Sequence, residues 1–193
     1  MYLAIALVGA ILIYPFVGHW VWNDSGWLSQ LGFIDFAGST VVHSLGGAIA
    51  LAGVIILGPR IGRFREDGSI REFNGSNLPL SLLGTLLLFF GWFGFNGGSG
   101  GAFTENVPLI LVNTILGGAS GLAATIIICY VVYRRPRVLK IMNGLLGGLV
   151  AVTACCYAVK PFEAIIIGSM GGIVVLFSER LLERFHLDDA VGA

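Results

Sequence analysis

A single histidine, His43, lies within an apolar stretch of the chain, DFAGSTVVHSLGG at residues 35–47. An imidazole can donate or accept a hydrogen bond, bind a metal or relay a proton. The apolar run continues as far as Arg60, the first charged residue after Asp35. Four interpretations of His43 are open: a core histidine satisfied by a neighbouring hydroxyl or carbonyl, a side chain that lines a pore, a haem ligand and a proton relay.

Aromatic and small polar side chains recur in two other stretches. In FFGWFGFNGGSGG, Trp92 and Phe95 are three residues apart, which places them on one face of a helix, and Ser99 follows. The stretch YPFVGHWVWN contains Tyr14 and Trp22. Such rings can form an aromatic belt at a lipid interface. Around a polar depression, however, their π faces can also attract a small cation.

The elements that must position these residues are membrane-spanning helices. Of the 193 residues, 56% are hydrophobic and 11% are charged, whereas soluble domains carry about 25% charged residues. A spanning helix needs about 20 apolar residues. We therefore predict an all-α membrane protein, a polytopic helix bundle that forms one domain over residues 1–193. Its predicted transmembrane helices cover residues 2–22, 37–58, 78–97, 107–133, 141–159 and 162–178.

The basic residues are distributed unevenly between the predicted helices. Segments 59–77 and 134–140 and the tail after the last helix contain 10 of the 11 lysines and arginines, and Lys160 is the exception. If the six predicted helices alternate in direction, these three segments lie on one side of the membrane. The positive-inside rule then predicts a multi-pass protein of the cell membrane with both termini of this chain in the cytoplasm.

Asp35 precedes the second predicted helix on the outer side. Its carboxylate can accept hydrogen bonds from the free amides of Gly38 and its neighbours, and its charge suits the positive end of the helix dipole. Eight residues separate Asp35 from His43, which corresponds to about 12 Å along a helix. Because the hydrocarbon core is about 30 Å thick, we predict that His43 lies near its middle, where a polar ring must face protein or a water-filled cavity.

The sequence contains no motif typical of an enzyme, a metal site or a resident cofactor. Cys129, Cys155 and Cys156 all fall within predicted helices, where the burial of small apolar thiols explains them. No CxxC spacing occurs. The glycines after Phe95 end a predicted helix and do not join a strand to a helix, so the context of a phosphate-binding loop is absent. We expect neither an enzyme nor a cofactor, and the net charge of zero gives no indication of nucleic-acid binding.

Several stretches resemble the motifs of one family of membrane proteins. DFAGSTVVH resembles the signature Asp-Phe-Ala-Gly-Gly-x-Val-Val-His of the ammonium transporter family (Amt/Mep/Rh), with Ser39 in place of the second glycine. GWFGFNGGS resembles a second family motif, and YPFVGHWVW resembles the stretch at the outer vestibule. NGLLGGLVAVTACC and LLERFHLDDAVGA are similar to two later stretches. The matches follow the family's order and cover essentially the whole chain.

The resemblance implies that the chain carries ammonium or ammonia across a membrane as part of a homotrimer with one pore in each subunit. It implies a cation site at the outer mouth, where Trp22 helps to bind the cation and Ser99 accepts a hydrogen bond from it. His43 would be the first of the family's twin histidines, and Phe95 would be one ring of the phenylalanine gate. The other implied site residues are Trp92 and Tyr14, which line the pore or its vestibule, and Asp35, which holds the mouth and favours the cation. In the family, a signalling protein of the PII type often docks on the cytoplasmic face.

The family fold has eleven membrane helices in two inverted halves of five with one extra, and the resemblance assigns this chain the fourth to the ninth. The second pore histidine and the second gate ring would then not be in the chain, which predicts a fragment or a shortened relative. An ammonium-binding sensor or a truncated, non-conducting relative is the alternative to a transporter. A third interpretation is a haem-bearing redox subunit with His43 as an axial ligand, although His19 is predicted at a different depth. We expect His186 to be a solvated residue beyond the last helix.

Overall fold

The computed structural model describes residues 2–73 and 75–190, which are mostly helical. The first helix starts as α-helix, continues as a π-helix and returns to α-helix near its C-terminal end, and a short helix follows it. The second long helix also begins with a π-helical turn, Ser39–Ser44. The α-helices are Tyr2–Val8 (α1), Tyr14–Trp22 (α2), Trp27–Gln30 (α3), Leu45–Leu57 (α4), Leu78–Gly98 (α5), Val107–Tyr133 (α6), Val138–Thr153 (α7) and Pro161–Arg184 (α8). The π-helical part of the first helix is Gly9–Ile13.

The prediction of an all-α polytopic membrane protein is confirmed. Within the described residues, five helical segments are long and apolar enough to cross a membrane, and α7 is a shorter apolar helix of 16 residues. Helix α6 has the predicted bounds, 107–133. Pro108 fits the first turn of a helix, because an amide hydrogen at this position would have no acceptor within the helix and its absence in proline costs nothing. Arg134 adopts a left-handed conformation (φ 58°) and ends the helix.

Helix α7 differs at both ends from the predicted helix at 141–159, since it runs over Val138–Thr153. It ends early because groups from elsewhere in the chain take its last backbone hydrogen bonds. The Ala154 amide donates to the Ser39 hydroxyl at 2.7 Å, and the Ala154 carbonyl accepts from the Phe36 amide at 2.8 Å. The sequence predicts Cys155 and Cys156 within this helix, and that prediction is wrong, because both residues follow its end at Thr153.

The tightly packed core consists of α6, α7 and α8, which approach one another through glycines. A Cβ atom built on Gly148 would lie 2.3 Å from the carbonyl oxygen of Gly117, and one built on Gly168 would lie 2.2 Å from the same oxygen. Small residues allow membrane helices to approach this closely. In contrast, no residue of α4 is buried within the described structure.

Charged side chains from three separate segments pair at one end of the bundle. The Asp188 carboxylate, only 1% exposed, lies 2.6 Å from the Arg60 guanidinium and 3.2 Å from that of Arg63. The hydrogen bond from Arg60 lowers the pKa of Asp188 from its ordinary 3.8 to about 2. Further ion pairs join Arg63 to Glu183, Arg137 to Glu72 and Lys140 to Glu179. The loop after α4, the segment before α7 and the end of α8 are thus at one end, as alternating helices require. The pairs that Glu179 and Glu183 of α8 form with Lys140 and Arg63 also explain why this helix continues to Arg184, beyond the predicted residue 178.

We expect Gly148→Ala to destabilise the protein by about 1–3 kcal/mol, because the new methyl group must displace backbone of α6. Gly84→Ala is the matched control, since a Cβ at this helical position meets no atom within 4 Å. It should change stability by no more than about 1 kcal/mol, in the stabilising direction. Thermal unfolding in detergent measures both. Equal melting temperatures for the two variants would show that the close contact is not limiting.

We expect Asp188→Asn to loosen the loop that contains Arg60 and Arg63, because the carboxylate is the ion-pair partner of both. Limited trypsin digestion in detergent should cleave after the exposed Arg65 severalfold faster than in the unaltered protein. Glu105→Gln, at an exposed position in the loop between α5 and α6, is the control and should leave the cleavage rate after Arg65 unchanged.

The same ion pairs should depend on pH in a defined window. A carboxyl group with a lowered pKa contributes its full stability above the ordinary value of 3.8 and loses it as the pH falls through about 2. In the unaltered protein, Asp188 should therefore stay ionised, and the loop should stay held by it, from neutral pH down to about pH 4. An acid-tolerant protease such as pepsin can follow the loop below that. Loosening of the loop at pH 5 to 6 would contradict the assignment.

Candidate functional site

The second long helix begins at the carboxylate of Asp35, which is 4% exposed. Its Oδ1 accepts from the amides of Gly38 and Ser39 at 2.9 and 2.8 Å, and its Oδ2 accepts from those of Thr40 and Val41 at 2.8 and 2.9 Å. These are the amides that a helix leaves without partners at its N-terminus. The predicted capping role of Asp35 is confirmed.

The same residue also holds the indole ring of Trp22. The Trp22 Nε1 donates to the backbone carbonyl of Asp35 at 2.6 Å. The ring meets Tyr14 edge-on, with centroids 6.4 Å apart and an interplanar angle of 72°. Gly38 lies beneath it with φ 111°, and a Cβ there would come within 2.6 Å of Val42. The turn between Asp35 and the helix therefore requires glycine, and Trp22, 43% exposed, is fixed with part of its ring open.

His43 lies in the π-helical turn and is half-buried. Its ring stacks on Trp92 at a centroid distance of 5.0 Å and an angle of 16°. The Phe95 ring is 5.5 Å from the imidazole, tilted by 48°. The His43 Nε2 is buried and has no hydrogen-bond partner among the described residues. A neutral imidazole can accept or donate one hydrogen bond at this nitrogen, depending on its tautomer.

Phe95 and Ser99 are joined at the end of α5. The Ser99 hydroxyl donates to the Phe95 carbonyl at 2.6 Å, and its side chain is exposed. Because the hydroxyl donates there, the lone pairs of its oxygen can accept from another donor. Phe95 also lies 6.0 Å from Trp92, so three rings, those of His43, Trp92 and Phe95, form one aromatic group.

The seven predicted site residues therefore fall into two groups connected by the helix start. An outer group contains Tyr14, Trp22 and Asp35, and an inner group contains the three rings, with Ser99 beside Phe95. A separate crevice of about 520 Å³, lined by Phe93, Gly97, Phe103 and Leu111 among others, includes none of the seven.

Two residues that support the inner group were not predicted. Thr153, at the end of α7, accepts from the Trp92 Nε1 at 2.9 Å and donates to the Leu149 carbonyl at 2.7 Å. Ser39 contacts the same end of α7. The partners are 61 to 115 residues apart in the chain. The only sequence signal is that Ser39 replaces the second glycine of the family motif.

No resident metal is indicated by this arrangement. Among residues 2–73 and 75–190 there is no group of three or more histidine, cysteine or acidic side chains that could hold an ion. The four-amide cap already uses the two oxygens of Asp35, and the rings that contact the imidazole of His43 are those of Trp92 and Phe95, which supply no metal ligand. The chemistry available here is hydrogen bonding at one imidazole nitrogen and attraction of a cation to aromatic faces.

The fold and site define a polytopic helical membrane protein with aromatic rings around a histidine inside the bundle. The sequence profile of the Ammonium Transporter Family matches residues 1–193, and the chain belongs to this family. Ammonium transporter Amt2 of Archaeoglobus fulgidus is 43% identical over 204 residues, which cover 100% of this chain and 43% of that protein.

Solved structures of Amt and Mep2 proteins support the same family membership. The chain superposes on a structure named Sensor Amt Protein with a TM-score of 0.91 at 42% identity, covering 94% of this chain and 46% of that one. Mep2 of Saccharomyces cerevisiae gives a TM-score of 0.80 at 30% identity, covering 91% of this chain and 39% of that one. This chain thus spans less than half the length of each of these relatives. Membership of a transporter family agrees with the expectation that the protein is not an enzyme and gives the haem interpretation no support.

We expect Asp35→Asn to destabilise the protein by about 1–3 kcal/mol, because a carboxamide has one acceptor oxygen and would turn an NH₂ group toward two backbone amides. Thermal unfolding in detergent measures the loss. Asp24→Asn is the control: it removes an exposed carboxylate from the same connecting region and should leave the melting temperature unchanged. If both variants melt together, the four hydrogen bonds do not limit stability.

Proposed function

We propose that this protein conducts ammonium or ammonia across the cell membrane through a pore that passes His43. The observation that carries the proposal is the environment of this side chain. His43 is stacked on Trp92, lies beside Phe95 and has a buried Nε2 without a partner in the described part of the chain. An unsatisfied ring nitrogen inside a membrane helix is a functional candidate. The family and its member named as an ammonium transporter support ammonium as the cargo.

Entry of the cation is assigned to the outer group together with Ser99 of the inner group. Removing a cation from water is costly unless other interactions replace its hydration. The indole ring of Trp22 is held by its hydrogen bond to Asp35 and leaves π surface open for a cation–π contact. The oxygen of Ser99 can accept one N–H of ammonium. Asp35 contributes through its negative charge and not by direct contact, because its two oxygens already accept four amide hydrogen bonds.

Transit past the aromatic group is assigned to His43. Ammonium that transfers one proton to the Nε2 of a neutral His43 continues as neutral ammonia, which has a far smaller desolvation cost than an ion. The imidazolium passes that proton on to water on the far side, so that ammonia and proton together carry one charge across. The Nε2 of a neutral imidazole can accept a hydrogen bond from ammonium, or donate one to ammonia in the other tautomer. Potassium has no proton to give up and would retain its charge throughout. Selectivity for ammonium over potassium then follows from the chemistry of the cargo, with Phe95 and Trp92 excluding water around the imidazole.

An ammonium sensor is the second candidate function. The specific observation that favours it is the match to the structure named Sensor Amt Protein, with its TM-score of 0.91. The same outer group would bind the cation, but no flux would follow. A binding site for ammonium without conduction distinguishes the sensor from the transporter.

The assembly and orientation of the protein are part of this proposal. Helix α4 leaves all of its residues unburied, which is compatible with cover from further helices or from subunits of a homotrimer. The charged end of the bundle, where Asp188 pairs with Arg60, would face the cytoplasm by the positive-inside rule, with both termini of this chain on that side. A PII-type signalling protein would dock on that face.

We expect His43→Ala to reduce ammonium-triggered current in liposomes by about ten- to a hundredfold. A hydrogen bond to a charged group contributes about 1.5–3 kcal/mol, and each 1.36 kcal/mol in a barrier changes a rate about tenfold. The measurement compares currents at saturating ammonium and with potassium in its place. His19→Ala is the matched control, because His19 is exposed and lies near the outer end of α2.

The outcomes separate the two candidate functions. A saturating current that falls in His43→Ala but not in His19→Ala supports conduction past His43. Ammonium binding in calorimetry with no current supports the sensor. An unchanged current and unchanged selectivity over potassium in His43→Ala would refute the role of this residue.

A further inference from the structure

The last turn of α7 holds both helices that contribute rings to the inner group. We propose that Ser39 is a positioning residue. Its hydroxyl binds the start of the second long helix, residues 39–57 and called the His43 helix below, to α7 and thereby sets the stack of His43 on Trp92. The link between this stack and ammonium flux rests on the proposed function, whereas the positioning itself can be tested without any transport.

The Ser39 hydroxyl is inserted into a helical hydrogen bond of α7. It donates to the Val150 carbonyl at 2.5 Å and accepts from the Ala154 amide at 2.7 Å. Val150 and Ala154 are four residues apart, so in an uninterrupted α-helix these two groups would bond to each other. Both the donor and an acceptor of the hydroxyl are therefore used, which fixes its place more closely than a single hydrogen bond would.

A backbone contact beside Ser39 strengthens the same junction. The Phe36 amide donates to the Ala154 carbonyl at 2.8 Å. Phe36 and Ser39 stand on either side of Gly38 in the turn capped by Asp35. Three hydrogen bonds thus tie one turn of chain, residues 36–39, to the end of α7.

Trp92 is held by that end of α7 as well. Its Nε1 donates to Thr153, which is adjacent to Ala154, and Thr153 in turn donates to the Leu149 carbonyl within α7. The imidazole of His43 is four residues beyond Ser39 along its own helix. The position of the His43 ring relative to the Trp92 ring is therefore set by two adjacent residues of the chain, Thr153 and Ala154.

The rest of the His43 helix offers little alternative support. No residue of Leu45–Leu57 is buried in the described structure. The helix is consequently anchored at its first turn, and removal of the Ser39 hydroxyl leaves that turn held by Asp35 within its own segment and by the Phe36 amide. We expect the imidazole then to shift against the indole while the three-helix core keeps its structure.

The test is ¹⁹F NMR of the protein labelled with 5-fluorotryptophan. The chain contains four tryptophans, and Trp92→Phe assigns the Trp92 signal. His43→Ala reports how far this signal moves when the stack is removed. Ser39→Ala should move the signal in the same direction, and Ser39→Thr, which retains the hydroxyl, should return it. Ser44→Ala is the matched control, because the hydrogen bond that its hydroxyl donates stays within its own helix, at the Ser39 carbonyl.

Each alternative result would overturn the inference. An unmoved Trp92 signal in Ser39→Ala would show that the hydroxyl does not set the stack, and an unmoved signal in His43→Ala would show that there is no stack to set. Movement of all four tryptophan signals, or loss of folding, would assign Ser39 a general structural role instead.

A flux measurement then separates this inference from the proposed function. With conduction present, Ser39→Ala should lower the maximal ammonium current severalfold and leave the half-saturating concentration unchanged, because the outer group is intact. Ser39→Thr should recover the current. If the Trp92 signal responds as expected but the unaltered protein carries no current, the positioning role stands and the proposed function fails. A changed signal with an unchanged maximal current would overturn the role in conduction.

Discussion

The placement of the site depends on one carboxylate satisfied by four backbone amides. An isolated charge is costly near the membrane interior, and the free amides at a helix start are costly when they are buried. Asp35 resolves both problems at once, because each of its oxygens accepts two hydrogen bonds and its charge opposes the helix dipole. The backbone carbonyl of the same residue holds Trp22. The outer aromatic ring and the start of the His43 helix are therefore coupled through a single residue.

The molecule combines a tightly packed core with loosely covered helices. In α6, α7 and α8 the backbones touch at glycines such as Gly117 and Gly148, so this part can hardly deform without a clash. The His43 helix instead joins the rest through polar groups near its ends. At one end are Asp35 and Ser39, and a few residues after its other end Arg60 pairs with Asp188. Specific hydrogen bonds at both ends thus hold this helix, together with the packing of its first turn, where Val41 is buried.

The sequence predicted what depends on composition and local spacing. The bounds of α6 follow from an apolar run between Pro108 and Arg134, and capping by Asp35 follows from its position three residues before Gly38. The end of α7 could not be predicted, because apolar residues continue past Thr153. What ends that helix is a hydroxyl and an amide from residues more than 100 positions away, Ser39 and Phe36. Neither the local sequence nor its hydropathy carries that information.

The same distinction applies to the site itself. The proximity of Trp92 and Phe95 follows from helical spacing, but the stack of His43 on Trp92 joins two helices whose relative register no local pattern gives. The register is fixed where the Ser39 hydroxyl replaces a bond between Val150 and Ala154, one residue from the partner of Trp92. A glycine at position 39 would leave that bond to close within α7. The Ser39 hydroxyl therefore replaces one hydrogen bond within α7 by hydrogen bonds between α7 and the His43 helix. The end of α7 becomes less regular as a result, and the imidazole of His43 gains a defined position.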